Sequence, residues 1–510
     1  MNKEVRVRFA PSPTGALHIG GVRTALYNYL FAKKNNGKFL LRIEDTDQNR
    51  FVPGAEEYIK ESLEWLGIVA DESPWVDSPH GPYRQSERKP MYRQYADYLL
   101  EQGHAYLAFD TPEELDAMRE RLTAARVVSP QYNSITRTQM KNSLTLPEDE
   151  VKERLASGEP YVIRVKIPRK EEVRLNDLIR GWVLVHSNTL DDKVLMKSDG
   201  MPTYHLANIV DDHLMGITHV IRGEEWLPSA PLHVLLYKYF GWQDSMPEFA
   251  HLPLLLKPDG NGKLSKRDAD KQGFPIFPIN WTDPGSGELA TGFRESGYLP
   301  EAFLNFLAFL GWNPGDHREI FNIEELIEVF SIERIGKSGT KFDINKAKWY
   351  NEQYLRSKSD SELAEYLLKD LRNEGLDLHQ EKAEQIASLV KERATFPGDL
   401  WNEGRFLVVA PKDFDQAILS KKWNDDVIRL LTSYRNKLVT LEEEFNAISA
   451  KSHLEISADE NSIKLGKVMQ AIRLAITGVG AGPDLMGIFV ILGKEELIKR
   501  IDFALNTIVI

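Results

Sequence analysis

A histidine at the predicted start of a helix is the first residue whose type and position suggest chemistry. His18-Ile19-Gly20-Gly21 follows the loop Ala10–Gly15, and that loop follows an alternating strand pattern at Val5–Phe9. A helix N-terminus presents unpaired backbone N–H groups and a positive dipole end, which suit a phosphate. An imidazole can donate to a phosphate oxygen, and glycine lets a nucleotide approach the backbone. For this short pattern alone, close packing of a helix on a strand is the better explanation of the glycines.

A basic segment far along the chain is the second candidate. Lys263-Leu264-Ser265-Lys266-Arg267 follows the glycine-containing stretch Pro258–Gly262. Three cations on a mobile loop could close over a triphosphate, because lysine is a compact point charge that need not hold one geometry. A solvated turn is the alternative explanation for so short a basic run.

Two arginines form a candidate site for an anionic substrate. Arg8 lies on the first predicted strand, and Arg222 follows the apolar pair Val220-Ile221. A guanidinium forms paired, charge-assisted bonds to a carboxylate, whereas a neutral amide would leave some of those donors unpaired. Sites built on such pairing reject the wrong ligand by roughly 10⁴–10⁵-fold. Taken singly, each arginine is better explained by an ion pair at the surface or at the edge of the core.

Both loop segments resemble known motifs. Ala10–Gly21 resembles, residue for residue, the first motif of class I aminoacyl-tRNA synthetases, and its Ser12-Pro13-Thr14-Gly15 form is similar to that of the glutamyl-tRNA synthetases. Lys263–Arg267 resembles the second motif, with the arginine ending of the glutamyl and glutaminyl branch. Gly21 stands where the general motif has a second histidine, so we assign no chemistry to it. The order and spacing of the motifs identify the chain as similar to a bacterial-type glutamyl-tRNA synthetase.

The resemblance implies roles for the matching residues. It assigns recognition of the glutamate side chain to Arg8 and Arg222, and recognition of the α-ammonium to Glu44. The predicted glutamate-binding residues are Arg8, Ala10, Ser12, Glu44, Tyr204, Asn208, Arg222 and Trp226. The predicted ATP-binding residues are Pro11, His18, Gly20, Gly21, Lys263, Ser265, Lys266 and Arg267. The predicted catalytic residues are His18, Lys263 and Lys266.

The resemblance also implies the reaction and its partners. Glutamate would be activated with ATP and transferred to tRNA(Glu), with tRNA bound before activation becomes efficient. Mg²⁺ would be carried in with ATP, and no structural zinc is expected. Arg393 matches a family arginine that reads the third anticodon base. The alternatives are an enzyme that also charges glutamine tRNA, a catalytically silent tRNA-binding paralogue, and a shorter relative that glutamylates a modified tRNA base. The long helical C-terminal part disfavours that shorter relative.

The first fifty residues have the rhythm of a βαβ unit, which would position the first motif. The strand Val5–Phe9 precedes a helix from about Leu17 to Lys34, and the strand Phe39–Ile43 ends in Glu44-Asp45-Thr46-Asp47. The crossover should be right-handed in a parallel sheet. The predicted fold is therefore a Rossmann-like α/β catalytic domain with an α+β insertion, followed by an all-α C-terminal half.

Further elements and domain limits follow from the same periodicities. The other predicted strands are Tyr161–Ile167, Val220–Arg222 and Leu252–Leu256. The other predicted helices are Ala55–Leu66, Lys89–Gln102, one that starts at Ser359–Glu362, Asp425–Phe445 with the acidic run Leu441–Glu444, Ser462–Thr477 and Asp484–Leu505. Residues 272–291 are predicted to be an irregular insertion without an assigned role. The predicted domains are 1–104 and 204–257 (catalytic), 105–203 (inserted, binding the acceptor end), 258–345 (stem contact), and 346–410 and 411–510 (helical, anticodon-binding).

Composition limits the class of protein. The 510 residues include 42% hydrophobic and 27% charged residues, as in an ordinary globular chain, and no cysteine, which excludes disulfides, thiolate zinc sites and thiol nucleophiles. A net charge of −12 does not exclude a nucleic-acid partner, because phosphate contacts need only a local basic face. With no run of 18 apolar residues and no apolar segment after the charged start, we expect a cytoplasmic protein without a membrane partner. The lack of a heptad seam predicts a monomer.

Overall fold

The computed structural model describes residues 4–508. The chain divides into two compact units. The first unit is Met1–Ser296 with Phe303–Ile344, and the second unit is Gly297–Ala302 with Asn345–Ile510. None of the helices within residues 4–508 is long and apolar enough to cross a bilayer.

The regular elements have the following bounds. The strands are β1 (Arg6–Phe9), β2 (Lys38–Leu41), β3 (Ala105–Ala108), β4 (Val162–Val165), β5 (Glu172–Asp177), β6 (Gly181–His186), β7 (Val194–Met196), β8 (His219–Gly223), β9 (Glu248–Leu252), β10 (Leu255–Leu256), β11 (Trp281–Thr282), β12 (Leu289–Ala290) and β13 (Thr340–Lys341). The first helices are α1 (Ile19–Lys34), α2 (Ala55–Trp65), α3 (Lys89–Glu101), α4 (Pro112–Ala124), α5 (Glu148–Ala156), α6 (Tyr204–Leu214), α7 (Ala230–Tyr239), α8 (Lys266–Gln272), α9 (Pro300–Ala308) and α10 (Ile323–Val329). The later helices are α11 (Ile344–Ser357), α12 (Asp360–Asn373), α13 (Gln380–Val390), α14 (Asp399–Gly404), α15 (Gln416–Lys422), α16 (Asp425–Val439), α17 (Ala447–Glu460), α18 (Leu465–Thr477), α19 (Leu485–Leu492) and α20 (Lys494–Thr507).

The predicted βαβ unit is present at the start of the first unit. β1 and β2 pair in parallel, with Arg6 opposite Lys38 and Phe9 opposite Leu41. The connecting helix α1 begins at Ile19 rather than at Leu17, because the preceding residue is its N-cap. Val22, Leu26 and Leu30 are fully buried, as the three- and four-residue spacing predicts, whereas Tyr29 is partly buried.

A second sheet has the strand order β6–β5–β9–β8. β8 and β9 run in parallel, and β5 joins β9 through the pair Asp177 and Phe249. The hairpin β5–β6 lies within the predicted inserted segment 105–203, yet it is hydrogen-bonded to this sheet. Just before β8, the backbone N–H of Thr218 donates to the Arg6 carbonyl, which ties this sheet to the start of β1.

Two strand predictions and the prediction of one irregular tract need correction. The predicted strand Leu252–Leu256 is two strands, β9 and β10, because Pro253 has no N–H to give to a ladder. Tyr161–Ile167 is regular only over β4, where its register with β7 shifts. The tract 272–291 is not wholly irregular, since it contains the antiparallel hairpin β11–β12.

Residues 274–281 of this tract contribute to the core of the first unit, whereas most of residues 282–290 are exposed. Trp281 packs edge-on against Tyr58, with ring centroids 5.0 Å apart. The hydroxyl of Tyr58 donates to the Ile279 carbonyl at 2.6 Å, and Ile279 is buried. Pro275, Pro278 and Pro284 interrupt the period-two pattern, which is why the sequence concealed this hairpin.

The described part of the second unit is helical, as predicted, apart from its loops and 3₁₀ turns. The predicted capping box at Ser359 and Glu362 starts α12. The helix predicted from Asp425 stops at Val439, so the acidic run Leu441–Glu444 is a loop. Asn446 then starts α17 with its own capping box.

The last two helix predictions are also partly wrong. The segment predicted from Asp484 to Leu505 is two helices, α19 and α20. They are separated at Gly493, whose φ of 76° is a left-handed value that favours glycine. The helix predicted from Ser462 begins only at Leu465.

Candidate active site

A cavity of about 450 Å³ lies where the parallel strands β1 and β2 end. This is the usual place for a ligand in an open α/β sheet. It brings together most of the predicted site residues, namely Arg8, Ala10, Pro11, Ser12, His18, Gly20, Gly21, Glu44, Tyr204, Asn208, Arg222, Trp226 and Lys263. The predicted ATP-binding residues Ser265, Lys266 and Arg267 lie outside the cavity wall.

His18 is the N-cap of α1. Its Nδ1 accepts a hydrogen bond from the Gly20 backbone N–H at 3.0 Å, so a neutral ring carries its proton on Nε2. The ring is open to the cavity, but desolvation in this recess lowers the pKa of His18, and the Lys263 ammonium lowers it further. His18 is therefore a neutral donor at pH 7, at the positive end of the α1 dipole.

The two glycines after His18 make room for side chains of their own loop. A Cβ on Gly20 would lie 2.7 Å from Cε1 of His18, and a Cβ on Gly21 would overlap Leu17. Gly20 therefore allows the imidazole to fold over the helix start. This steric requirement differs from the close nucleotide approach that the sequence suggested.

The two lysines of the second motif have different surroundings. Lys263 lines the cavity, and its Nζ lies 3.2 Å from Glu225. Lys266 is the first residue of α8, and its Nζ lies 3.2 Å from Glu288, beside the hairpin strand β12. The predicted mobile loop is thus a loop that ends at Ser265 and continues as a helix.

The floor of the cavity contains a buried charge network. Asp212 accepts from Nε and Nη2 of Arg8 at 3.0 and 3.2 Å, and from Nη1 of Arg42 at 2.8 Å. Arg42 also donates to Glu44 at 2.9 Å. The Asn208 side-chain amide is oriented so that its oxygen faces the two arginines. That oxygen accepts from Nη2 of Arg8 and from Nη2 of Arg42, each at 3.1 Å.

Charge in this network is balanced. Burial would raise the pKa of Asp212, but the guanidinium groups of Arg8 and Arg42 outweigh burial and hold it below its usual range. Burial raises the pKa of Glu44, and Arg42 opposes that rise. The two arginines face two carboxylates, so the network adds little net charge to the cavity.

Arg222, on β8, is paired differently. Its Nη1 donates to the Tyr204 hydroxyl at 2.7 Å, and its Nε donates to Nε2 of His251 at 3.0 Å. Nη2 lies 3.4 Å from the Trp226 carbonyl oxygen. Within residues 4–508, these acceptors are neutral, and no carboxylate is ion-paired with this buried guanidinium. An incoming carboxylate would supply the missing negative charge.

Sequence reasoning missed several residues of the site. No role was predicted from the sequence for Glu225, which lines the cavity, or for Arg42, Asp212 and His251, which hold its lining residues. One signal was available: Tyr204, Asn208 and Asp212 recur every four residues and share one face of α6. Glu225 and His251 carried no comparable periodic signal.

Residues 4–349 match the family model described as tRNA synthetases class I (E and Q), catalytic domain, and residues 362–505 match an anticodon binding domain. The chain is 65% identical over 507 residues to the glutamate–tRNA ligase of Cytophaga hutchinsonii, covering 99% of this chain and 98% of that one. The chain belongs to the glutamate–tRNA ligase family.

Other members of the family agree over the same length. The glutamate–tRNA ligase of Bacteroides fragilis is 53% identical over 510 residues, with 99% of each chain covered. A crystal structure of the glutamate tRNA ligase from Elizabethkingia meningosepticum in complex with its amino acid superposes with a TM-score of 0.95. It is 52% identical and covers 99% of this chain and 100% of that chain. The predicted fold class is confirmed: a class I synthetase catalytic domain followed by a helical half.

The remaining predicted site residue lies in the second unit. Arg393 is about half exposed, and its Nε donates to Glu403 at 2.5 Å. It lies in a 3₁₀ turn directly after α13 and within the anticodon binding domain match. In the range 4–508, no group of three or more His, Cys, Asp or Glu side chains is arranged to hold a metal ion.

Proposed function

We propose that this glutamate–tRNA ligase activates L-glutamate with ATP to glutamyl-adenylate and then transfers glutamate to the 3′ end of tRNA(Glu). One observation carries the proposal. Arg222 is a buried cation with neutral partners, in the same cavity as a helix start capped by His18. The cavity therefore suits an anionic amino acid at one end and phosphate at the other.

The amino-acid end would bind glutamate through opposite charges. Arg222 and the Tyr204 hydroxyl would hold the side-chain carboxylate, with Arg8 beside them on the cavity floor. Glu44 would hold the α-ammonium, and Asn208 and Trp226 would complete the pocket. Glutamine would bring no charge to Arg222, which accounts for its rejection.

The phosphate end would position ATP for in-line attack. The α-carboxylate of glutamate is already ionised at neutral pH, so one of its oxygens attacks the α-phosphorus without a general base. The bond from that phosphorus to the bridging oxygen breaks, and pyrophosphate leaves with the electron pair. Nε2–H of His18 and the N-terminus of α1 would stabilise the charge that develops on the phosphate oxygens.

The second motif would neutralise the leaving group. Lys263 already lines the cavity, whereas Lys266 would have to exchange Glu288 for phosphate. Mg²⁺ would enter with the ATP phosphates and supply further charge neutralisation, with Glu225 as the carboxylate at that end of the cavity. Ser265 and Arg267 would contact ATP only if the segment moves with Lys266.

The second unit would read the anticodon, where unstacked bases are held by stacking and edge contacts. The anticodon binding domain match over residues 362–505 supports this assignment. Arg393 would contact the third anticodon base and favour glutamate tRNA. We assign the acceptor end to the segment 105–203, and we propose that the protein is a cytoplasmic monomer.

The test is ATP–pyrophosphate exchange with the full chain. We expect exchange that requires glutamate, ATP and tRNA together, and charging of tRNA(Glu) in preference to tRNA(Gln). Equal charging of both purified tRNAs would instead establish the non-discriminating enzyme. No exchange with any glutamate tRNA would overturn the proposal in favour of a silent paralogue.

A further inference from the structure

A buried aspartate and histidine lie next to Arg222, outside the residues that line the cavity. Nδ1 of His251 lies 2.6 Å from Oδ2 of Asp177, and Nε2 of His251 accepts from Nε of Arg222 at 3.0 Å. Asp177 is 1% exposed and His251 is 0% exposed. Neither residue lines the cavity, and the reaction outlined above does not use them.

The chemistry of the two outer groups fixes the state of the imidazole between them. A guanidinium only donates, so Nε2 of His251 must be without a proton where Arg222 points at it. An ionised carboxylate only accepts, so Nδ1 must carry the proton that faces Asp177. The opposite tautomer, or a doubly protonated ring, would direct an N–H at the N–H of Arg222.

Asp177 is itself held in place. It is the last residue of β5, and its Oδ1 accepts from the backbone N–H groups of Ile179 at 3.0 Å and Arg180 at 2.8 Å. The backbone N–H of His251 also lies 3.2 Å from Oδ2. Burial opposes ionisation, yet these hydrogen bonds and His251 hold the pKa of Asp177 below its ordinary value. Burial lowers the pKa of His251, although Asp177 opposes that shift.

We propose that Asp177 and His251 are positioning residues that select glutamate. Asp177 sets the tautomer of His251, and His251 then fixes the guanidinium of Arg222 by a neutral acceptor at Nε. A carboxylate acceptor there would have neutralised Arg222 and removed its need for an anionic ligand. This pair of residues, here called the relay, orients Arg222 and leaves its positive charge for the substrate. This inference rests on the proposed role of Arg222.

The decisive variant is Asp177→Asn, because it retains the shape and reverses one hydrogen bond. The asparagine oxygen can keep the bonds from Ile179 and Arg180, and it can also accept from the backbone N–H of His251, which lies 3.3 Å from Oδ1. The amide NH₂ then takes the position of Oδ2 and donates to Nδ1 of His251. The imidazole proton then moves to Nε2, against Arg222. We expect the KM for glutamate in tRNA charging to rise about 10–100-fold, the loss of one hydrogen bond to a charged group. The KM for ATP should not change.

Two variants of His251 test the relay independently of Asp177. His251→Gln can offer its amide oxygen to Nε of Arg222, whereas His251→Leu offers no acceptor. We expect the glutamate KM to increase from wild type to His251→Gln to His251→Leu, again without a matching change for ATP. Partial rescue by glutamine would not follow if His251 only filled space.

A spectroscopic measurement reports the tautomer directly. With ¹⁵N-labelled histidine in the full chain, His251 should show a protonated Nδ1 and an accepting Nε2, and its signal is assigned by its loss in His251→Gln. Asp177→Asn should shift that signal towards the other tautomer. Asp192→Asn is the matched control, because Asp192 is equally buried but holds Tyr106 and Arg137 instead. It should leave both the signal and the glutamate KM unchanged.

The outcomes separate this inference from the proposed function. If wild type shows no glutamate-dependent exchange, the function itself is wrong. If Arg222→Gln raises the glutamate KM but Asp177→Asn and His251→Leu do not, the relay is wrong and the function stands. An equal rise in the KM values for glutamate and ATP in Asp177→Asn would indicate general damage to the fold, and it too would overturn the relay.

Discussion

Asp212 and Arg8 form a two-point ion pair inside the protein, with Oδ1 3.0 Å from Nε and Oδ2 3.2 Å from Nη2. The Asp212 side chain is 1% exposed and that of Arg8 is 4% exposed, so water does not screen the pair. This ion pair gives the two arginines of the cavity different roles. Arg8 is held rigidly and is already neutralised, whereas Arg222 keeps its charge for a ligand.

Removing the charge of Asp212 should destabilise the first unit strongly. Asp212→Asn leaves the buried guanidinium groups of Arg8 and Arg42 without their shared carboxylate, and breaking a buried pair costs about 3–5 kcal/mol. Chemical unfolding, followed through the transition of the first unit, measures this loss. Asp97→Asn is the control, since Asp97 pairs with Arg93 on the surface and should cost at most about 1 kcal/mol. Equal effects of the two variants would contradict the assigned burial of charge.

Acid should destabilise the first unit through its buried histidines. Burial lowers the pKa of His205 to about 4, and the positive charge of Lys193 contributes to this shift. Burial also lowers the pKa of the neighbouring His233, and the positive charge of Arg222 lowers it further. The unfolded chain takes up these protons near its ordinary pKa of about 6.5, whereas the folded chain does not. Stability should therefore fall as the pH falls from about 6.5 towards 4.

Measurement of the melting temperature between pH 7 and pH 4.5 tests whether stability falls as the pH falls. His205→Gln removes one group that binds a proton only on unfolding, so its melting temperature should fall less steeply than that of wild type. The depressed pKa of Asp212 acts in a lower range, below the ordinary aspartate value of about 3.9, and does not confuse the comparison. A steeper slope for His205→Gln would show that His205 is protonated in the folded state.

Local sequence predicted the parts of the site that local structure builds. His18 could be assigned to the start of α1 because the patterns of a strand, a proline-rich loop and a helix follow one another in adjacent residues. The capping box at Ser359 likewise needs only four consecutive residues. Arg8, Glu44 and Arg222 were predicted through the family resemblance, since spacing alone also fits ordinary ion pairs.

Long-range partners could not be predicted in the same way. Asp177 and His251 are 74 residues apart, and each occurs in a strand, where an isolated polar residue is typical of a solvent-facing position. Their contact depends on the alignment of β5 with β9 in one sheet, which no local pattern specifies. The acidic run Leu441–Glu444 was wrongly predicted to be helical from its local sequence. Its residues have good helix propensity, but they lie in a loop between two capped helices.

Gly20→Ala should impair ATP use through His18. The added Cβ would lie 2.7 Å from Cε1 of His18, so the ring must leave its capping position and Nε2–H must move with it. We expect a higher KM for ATP and a lower kcat, with the glutamate KM unchanged. Gly466→Ala is the matched control: it is also the second residue of a helix, and its added Cβ would meet no atom within 4 Å. If both variants behave alike, helix propensity and not the imidazole explains the effect.

Glu288→Gln should improve ATP binding. Lys266 is held by Glu288 in this structure, and the proposed mechanism requires it to leave for phosphate. Breaking an exposed pair of this kind costs about 0.2–1 kcal/mol, so removing it should lower the KM for ATP about 1.4- to 5-fold. Lys266→Met should raise that KM, and Glu61→Gln, which removes one of the two surface carboxylates paired with Arg294, should leave it unchanged. An ATP KM that rises in Glu288→Gln would mean that Glu288 orients Lys266 for catalysis.

Arg393→Gln should relax the choice of tRNA. In the second unit the guanidinium of Arg393 is half exposed and donates to Glu403, so it is ordered yet accessible to a base edge. A shorter, neutral side chain loses the charged donor, and the loss of such a base contact costs about 1–3 kcal/mol. The ratio of kcat/KM for tRNA(Glu) to that for tRNA(Gln) should therefore fall about 5- to 150-fold, while glutamate and ATP KM values stay the same. Arg429→Gln, which removes an exposed arginine paired with Asp426 on α16, is the control and should keep the wild-type ratio. A ratio unchanged in Arg393→Gln would remove Arg393 from anticodon reading.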